Sequence, residues 1–431
     1  MHISTSYIKF RQNRLIKDSF WSVFGNGLGS GLLLIAGILI ARFLGSDLYG
    51  EYGMVKSTMF YIASFSTFGL GITSTKYVAQ YSKENGQYVK RIISDSLKIT
   101  FWASFLLSFL LIIFASPLAI WLDSPALVTP FRYLGLIIIC RSINMTQVGI
   151  LGGIKIYREA AINAFIAGAS MLLLCIPLTY YFSLNGALIS LLISQIINCI
   201  FNYRSIHKQI LQLKSQSNKD FIKELLKFSF PVALQESTYF IGHWGGLLIL
   251  TKFSSMNEVG MFSAASQWNS IILFIPSMLY NVVISHLSSN LNDNNNQIKV
   301  MKIMLCVNFI STLLPLLIIW ILSGYIESLY GSSFNGLGSI LIVLVSSSIF
   351  SCCSNVFRSQ FVAHGKNWLL LFIRTIKDFV FLGTAYILIK HFNGVDGGLY
   401  YSWSNLITAI LYFLILFFFT LHFVKDIHNK V

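Results

Sequence analysis

The chain has 431 residues, 55% of them hydrophobic and only 11% charged, with a mean hydropathy of +0.69. A soluble domain carries roughly 25% charged residues, so 16 acids and 31 bases cannot clothe a water-soluble protein of this length; a soluble enzyme, a disordered chain and a disulfide scaffold are excluded. The formal charge of +15 is no nucleic-acid footprint, because the bases are scattered between apolar blocks and form no stripe. The composition is that of a polytopic membrane protein.

The first 17 residues hold Lys9, Arg11, Arg14 and Lys17 and read as a cytoplasmic arm, since the block that follows is too long for a signal core. Blocks of about 20 mostly apolar residues then predict twelve helical spans, near 20–42, 50–73, 97–121, 131–152, 159–182, 186–203, 229–251, 259–285, 301–323, 336–357, 367–389 and 397–423. A barrel is disfavoured, because stretches such as Leu106 to Phe114 are apolar all round and do not alternate. Cys140, Cys175, Cys199, Cys306, Cys352 and Cys353 all lie in apolar runs and read as packing residues, with neither a disulfide nor a metal expected.

The bases fall in alternate connections. The N-terminal arm, Lys76 to Arg91, Lys155 and Arg158, Arg204 to Lys227, Lys299 and Lys302, Arg358 and Lys366, and the C-terminal tail together hold 22 bases. The opposite loops hold four: Arg42, Arg132, Lys252 and Lys390. This asymmetry places both termini in the cytoplasm, which requires an even number of spans. Residues 204–228 form the longest connection. They divide the chain into an N-terminal lobe (1–203), a linker expected to lie on the membrane surface as a basic helix, and a C-terminal lobe (229–431).

The two lobes repeat. Ile40 to Tyr52 lies over Leu250 to Phe262 at an offset of 210, with Phe43 on Phe253, Gly50 on Gly260 and Tyr52 on Phe262. The phase holds through the next loop, where Ser82 to Gln87 lands on Asn292 to Gln297. Six spans separate equivalent positions, so the repeat is parallel, a transporter architecture. The predicted fold class is an all-α integral membrane protein with two pseudo-symmetric six-helix lobes around a central cavity.

The run Phe24-Gly25-Asn26-Gly27-Leu28-Gly29-Ser30-Gly31, then Ala41-Arg42-Phe43-Leu44-Gly45-Ser46-Asp47-Leu48-Tyr49-Gly50-Glu51-Tyr52-Gly53, then Gly69-Leu70-Gly71-Ile72-Thr73-Ser74-Thr75-Lys76-Tyr77-Val78-Ala79 resembles the polysaccharide-transport branch of the multidrug/oligosaccharidyl-lipid/polysaccharide (MOP) exporter superfamily. In particular it is similar to the bacterial O-antigen repeat-unit flippases (Wzx type). The resemblance implies a substrate of undecaprenyl-diphosphate bearing an oligosaccharide, moved from the cytoplasmic to the periplasmic leaflet of the inner membrane. Membrane lipids are implied partners, as are the polymerase and chain-length regulator of the same glycan pathway. Lipid II flippases and multidrug or cation antiporters of the superfamily are the alternatives. No catalytic motif, P-loop or metal-ligand cluster is found, and neither enzyme activity nor a cofactor is expected.

Charge deep in a bilayer is costly and turns to a cavity or a partner. Lys56, Lys98, Arg141, Arg374 and Lys377 are the bases in or near spans, against Glu236 and Asp378 as the deepest acids. Lys98 lies near a span end and is expected to snorkel. A cationic cavity suits a diphosphate headgroup, and the candidate substrate-binding residues are Lys56, Arg141, Asn144, Gln267, Asn281, Asn355, Arg374 and Lys377. Bland readings stand beside these. Lys56 snorkels, or it lines the cavity. Arg374 and Asp378, four apart, neutralise each other and leave Lys377 as the freer charge, or they line the cavity. The stripe Ser263, Gln267, Ser270, Ser277 and Asn281 faces ligand, or it bonds a neighbouring helix. Glu236 and His243 on one face, with Asp378, are candidates for proton coupling or form a structural pair.

Overall fold

The computed structural model describes residues 2–84, 88–211, 221–273, 294–363 and 366–428. These are helical, with two short 3-10 turns and no strand among them. In chain order the helices are α1 (His2–Ser66), α2 (Leu70–Glu84), α3 (Val89–Trp121), α4 (Val128–Ile154), α5 (Tyr157–Ile210), α6 (Ile222–Phe253), α7 (Met256–Ile272), α8 (Asn294–Tyr330), α9 (Leu337–Ala363), α10 (Asn367–His391) and α11 (Gly397–His428). Among the described residues, seven helices are long and apolar enough to cross a membrane. Two of them hold more than one crossing's length: α1 breaks at Gly45 (φ 72°) and α5 at Ser183 (φ 51°). Part of the expected eighth span, with Pro276, Ser277 and Asn281, lies outside the described residues.

The contacts divide the chain into two compact units. Unit 1 is Met1–Phe43 with Val55–Phe240; unit 2 is Leu44–Met54 with Ile241–Val431. The division falls inside α6, and Leu44–Met54 of α1 belongs with unit 2. The described parts of the expected linker are helical: Arg204 and Lys208 stand on the last two turns of α5, and Lys223 and Lys227 on the first two turns of α6.

In unit 1, α3 and α5 pack on α4, and α2 packs on α4 as well. Apolar contact gives little preference between helices surrounded by lipid, so small residues and interhelical hydrogen bonds set the pairing. Ser66 Oγ and Ser142 Oγ are 2.6 Å apart, Thr100 and Thr146 share a bond of 2.8 Å, and Thr75 Oγ1 donates to the Gly149 carbonyl at 2.8 Å. The expected second span runs past its observed end, because α1 stops at Ser66 and the chain turns through Phe68 (φ 48°) and Gly69 (φ 70°) before α2 begins. The hydroxyls of Ser66 and Thr67 bond back to Ala63 O and Ser64 O, local bonds that favour a helix end.

In unit 2, α9 packs on α11, α8 and α7. Gly50 and Gly260, paired by the repeat, touch each other: an added Cβ at Gly50 would overlap the Met256 carbonyl, and one at Gly260 would overlap the Ser46 carbonyl. An aromatic group of Tyr49, Tyr52, Tyr330 and Phe334 fills the space beside this crossing.

The repeat recurs in the backbone. Ser183 and Asn393, 210 apart, both adopt positive φ (51° and 54°) between consecutive helices. Gly45, where α1 breaks, pairs with Ser255, the cap of α7. Gly168 lies against Leu32 in unit 1, and the equivalent contact in unit 2 is Asp378 against Gly242, with large and small exchanged.

Candidate functional site

Unit 1 brings two predicted cations together. Lys56 stands on α1 three turns beyond the Gly45 break and Arg141 stands mid-way along α4. Their charges are near enough to repel. The Arg141 guanidinium lies 5.9 Å from the centre of the Phe60 ring, one turn from Lys56. Arg141 Nε is buried without a hydrogen-bond partner among the described residues.

Asn144, a candidate substrate-binding residue, is 1% exposed. Its Nδ2 donates to Gln195 O and Gln195 Oε1 of α5, each at 3.0 Å. Gln147 likewise donates to Cys199 O, and Asn163 to Asn202 Oδ1. These amides join helices within unit 1. Gln195 and Asn202, the partners, stand in the apolar block 186–203, where the sequence carries no sign of which amide meets which.

Unit 2 gathers the predicted charges of α10. Lys377 Nζ is 2.9 Å from Asp378 Oδ1, and Arg374 Nε is 4.0 Å from Asp378 Oδ2. Lys377, expected as the freer charge, is therefore the closer partner of the acid: adjacency beats the helical i,i+4 geometry here. Lys377 also stands 5.9 Å over the Tyr412 ring of α11. His243 of α6 lies within electrostatic reach of Lys377 and Arg374, and its ring is 6.1 Å from Phe381. The Glu236 side chain lies outside the described residues.

The described part of the polar stripe divides: Ser263 and Gln267 meet neighbours within unit 2, whereas Ser270 is exposed and bonds back to the Ser266 carbonyl. Gln267 Oε1 accepts from Tyr49 Oη at 3.1 Å, and Ser263 lies against Gly53. Asn269, not singled out from sequence, bonds Ser348 of α9. Asn355 Oδ1 accepts from Arg358 Nη1 at 2.9 Å one turn on. Asn281 lies outside the described residues.

Three acids hold helix starts. Glu258 Oε2 accepts from Gly398 N at 2.8 Å, and Glu327 Oε2 from Gly338 N at 2.9 Å, at the first turns of α11 and α9. Asp95 Oδ2 accepts from Phe221 N, just before α6, and from Arg91 Nε. Glu258 and Glu327 are the anions that helix N-termini attract.

This all-helical, repeated fold, with seven described helices long and apolar enough to cross a membrane, is that of a multi-pass membrane protein. The chain belongs to the family described as polysaccharide biosynthesis protein, whose model it matches over residues 15–288. It is 21% identical over 259 residues to the succinoglycan biosynthesis transport protein ExoT of Rhizobium meliloti (strain 1021), a match covering 58% of this chain and 49% of that protein. The chain thus spans about half the length of the curated relative it matches. Its fold is shared with solved structures of the MOP superfamily. An inward-facing multidrug resistance MATE family transporter aligns with a TM-score of 0.78 at 15% identity, covering 92% of this chain and 96% of that one. The lipid II flippase MurJ in an inward closed conformation aligns at 0.70 and 17% identity, covering 96% and 93%. A MOP superfamily transporter from Pyrococcus furiosus, described as having a binding pocket of reverse polarity, aligns at 0.66 and 16% identity, covering 96% of each chain.

Proposed function

We propose that the protein is a flippase for a lipid-linked glycan. Its cargo is an undecaprenyl-diphosphate-linked oligosaccharide repeat unit, carried from the cytoplasmic to the periplasmic leaflet of the bacterial inner membrane by alternating access, with both termini in the cytoplasm. The family and the transport role of the curated relative support the cargo class. The observation that carries the reading is Arg141 beside Lys56 in unit 1, with Nε of Arg141 unpartnered among the described residues. A guanidinium and an ammonium at one place suit a diphosphate: the fork grips oxygens and the ammonium supplies a compact charge. Arg374 and Lys377 place a second pair of cations in unit 2. The lipid tail stays in the bilayer while these side chains replace the lost hydration of the headgroup.

The shared fold also carries multidrug transporters, but adjacent basic side chains repel a cationic drug. The test is export in cells. Lys56→Ala and Arg141→Ala each lower glycan export by about tenfold, the scale of one charge-assisted hydrogen bond, with normal protein levels and with lipid-linked repeat units accumulating on the cytoplasmic side. Arg141→Lys recovers part of the loss. Full export by the double alanine variant, or unimpaired export with raised drug sensitivity on deletion, refutes the reading.

A further inference from the structure

We propose that Asp378 is an internal stand-in for the anionic headgroup, pairing with Lys377 and Arg374 when no cargo is bound and yielding them to a diphosphate. This rests on the flippase reading and adds to it a carboxylate whose task is release.

The three charges sit on one side of α10. Phe372, Ile376 and Phe379 are exposed apolar residues of the same helix, and at 100° per residue they centre opposite Arg374, Lys377 and Asp378. Within the charged group, exposure is uneven. Asp378 has a side-chain exposure of 6%, whereas Arg374 keeps 21% and Lys377 keeps 23%. The acid is behind and the bases are in front, so an arriving ligand reaches the bases first. The grip on the acid is incomplete: Lys377 is at 2.9 Å, but Arg374 is at 4.0 Å, beyond a hydrogen bond, and Oδ2 of Asp378 has no hydrogen bond among the described residues. Of the two bases, Lys377 is therefore the one that holds the carboxylate by a hydrogen bond.

Gly242 of α6 admits the carboxylate. A Cβ there would lie 2.9 Å from Asp378 Cβ and 3.0 Å from its Cγ. At the equivalent contact of unit 1 the residues are Gly168 and Leu32, with no carboxylate. The acid is therefore a feature of one half only, and glycine makes its room.

A transporter must let go of what it holds. Two sheltered cations that bind a diphosphate tightly are left uncompensated when it departs, and that cost slows departure. With Asp378 behind them, the cations exchange one anion for another. The diphosphate, with more charge and more oxygens, wins while it is present. The carboxylate, held by the chain itself, takes the cations back as it leaves.

The test uses the full-length protein in nanodiscs, with inorganic pyrophosphate as the binding probe. Flipping of a fluorescent prenyl diphosphate in proteoliposomes supplies the rate. Asp378→Asn binds pyrophosphate about tenfold more tightly and flips several-fold more slowly, because release becomes limiting. Asp378→Glu restores affinity to within about threefold of wild type. A merely structural acid would instead lose folding and affinity together. Binding by Asp378→Asn that is no tighter than wild type overturns the inference, and so does tighter binding with undiminished flipping; either leaves the flippase reading in place. Wild-type protein that neither binds pyrophosphate nor flips the probe overturns both. If Asp378→Asn does not fold, infrared difference spectra of wild-type protein carrying 13C-labelled aspartate decide: pyrophosphate shifts the carboxylate band of an ion-paired aspartate, and an unshifted band overturns the proposal.

Discussion

At the residue scale, acids in this chain act as anchors. Asp95 is wholly buried, yet it accepts from the backbone ahead of α6 and from Arg91. Around it Tyr81, Tyr88 and Phe221 pack edge to face, and the Lys76 ammonium lies 3.7 Å over the Phe228 ring. Asp95→Ala leaves the Phe221 amide without its acceptor and is expected to cost roughly 2–3 kcal/mol, the range for a bond to a charged group. Thermal unfolding in detergent measures it, with Lys90→Ala as an exposed control on the neighbouring turn. The sequence marked Asn144 as a candidate substrate-binding residue. It did not show that Asn144 faces Gln195, because which amide meets which depends on two helices packing, not on either helix's own period. Arg141 and Lys56 were legible singly from the cost of charge in a bilayer; their adjacency was not.

At the element scale, glycine and hydroxyl residues set where helices meet and stop. Gly50→Ala and Gly260→Ala each drive a methyl into a backbone carbonyl, and backbone cannot step aside as a side chain does. Both are expected to sharply reduce the yield of folded protein. Gly31→Ala, with open space at its Cβ, is expected to be neutral or stabilising by up to about 1 kcal/mol. Fluorescence-detected size-exclusion profiles of the three variants separate these outcomes. The match of Phe43 and Gly50 with Phe253 and Gly260 was legible in the two halves, so the repeat was visible before its purpose. The end of α1 was not. Ser64 to Gly71 reads as a mild continuation of an apolar span, and only the positive φ values at Phe68 and Gly69 reveal that the hydroxyls turn the chain there.

At the scale of the whole molecule, composition settled the class. A chain with 11% charged residues has too little polar surface to be anything but membrane-embedded, and the exposed Trp102, Phe109, Leu136, Trp320, Ile321 and Phe418 are what lipid covers. The division into units was less legible. The basic stretch 204–228 suggested a boundary by charge, but contacts are decided by what α6 packs against, and its first half packs with unit 1. Charge asymmetry leads to a topological expectation. Cysteine placed at Ala126, just after α3, reacts with a membrane-impermeant maleimide in intact spheroplasts. Cysteine at Lys155, at the end of α4, reacts only after permeabilisation. The reverse pattern would invert the orientation and with it the direction of transport.

The contact between Gly242 and Asp378, matched by Leu32 and Gly168, shows what a single chain with two similar halves permits. Two identical half-length chains paired with each other would carry the same residue at both places, so an acid there would come twice or not at all. Joined in one chain, the two positions are free to differ, and here only the second half has the carboxylate.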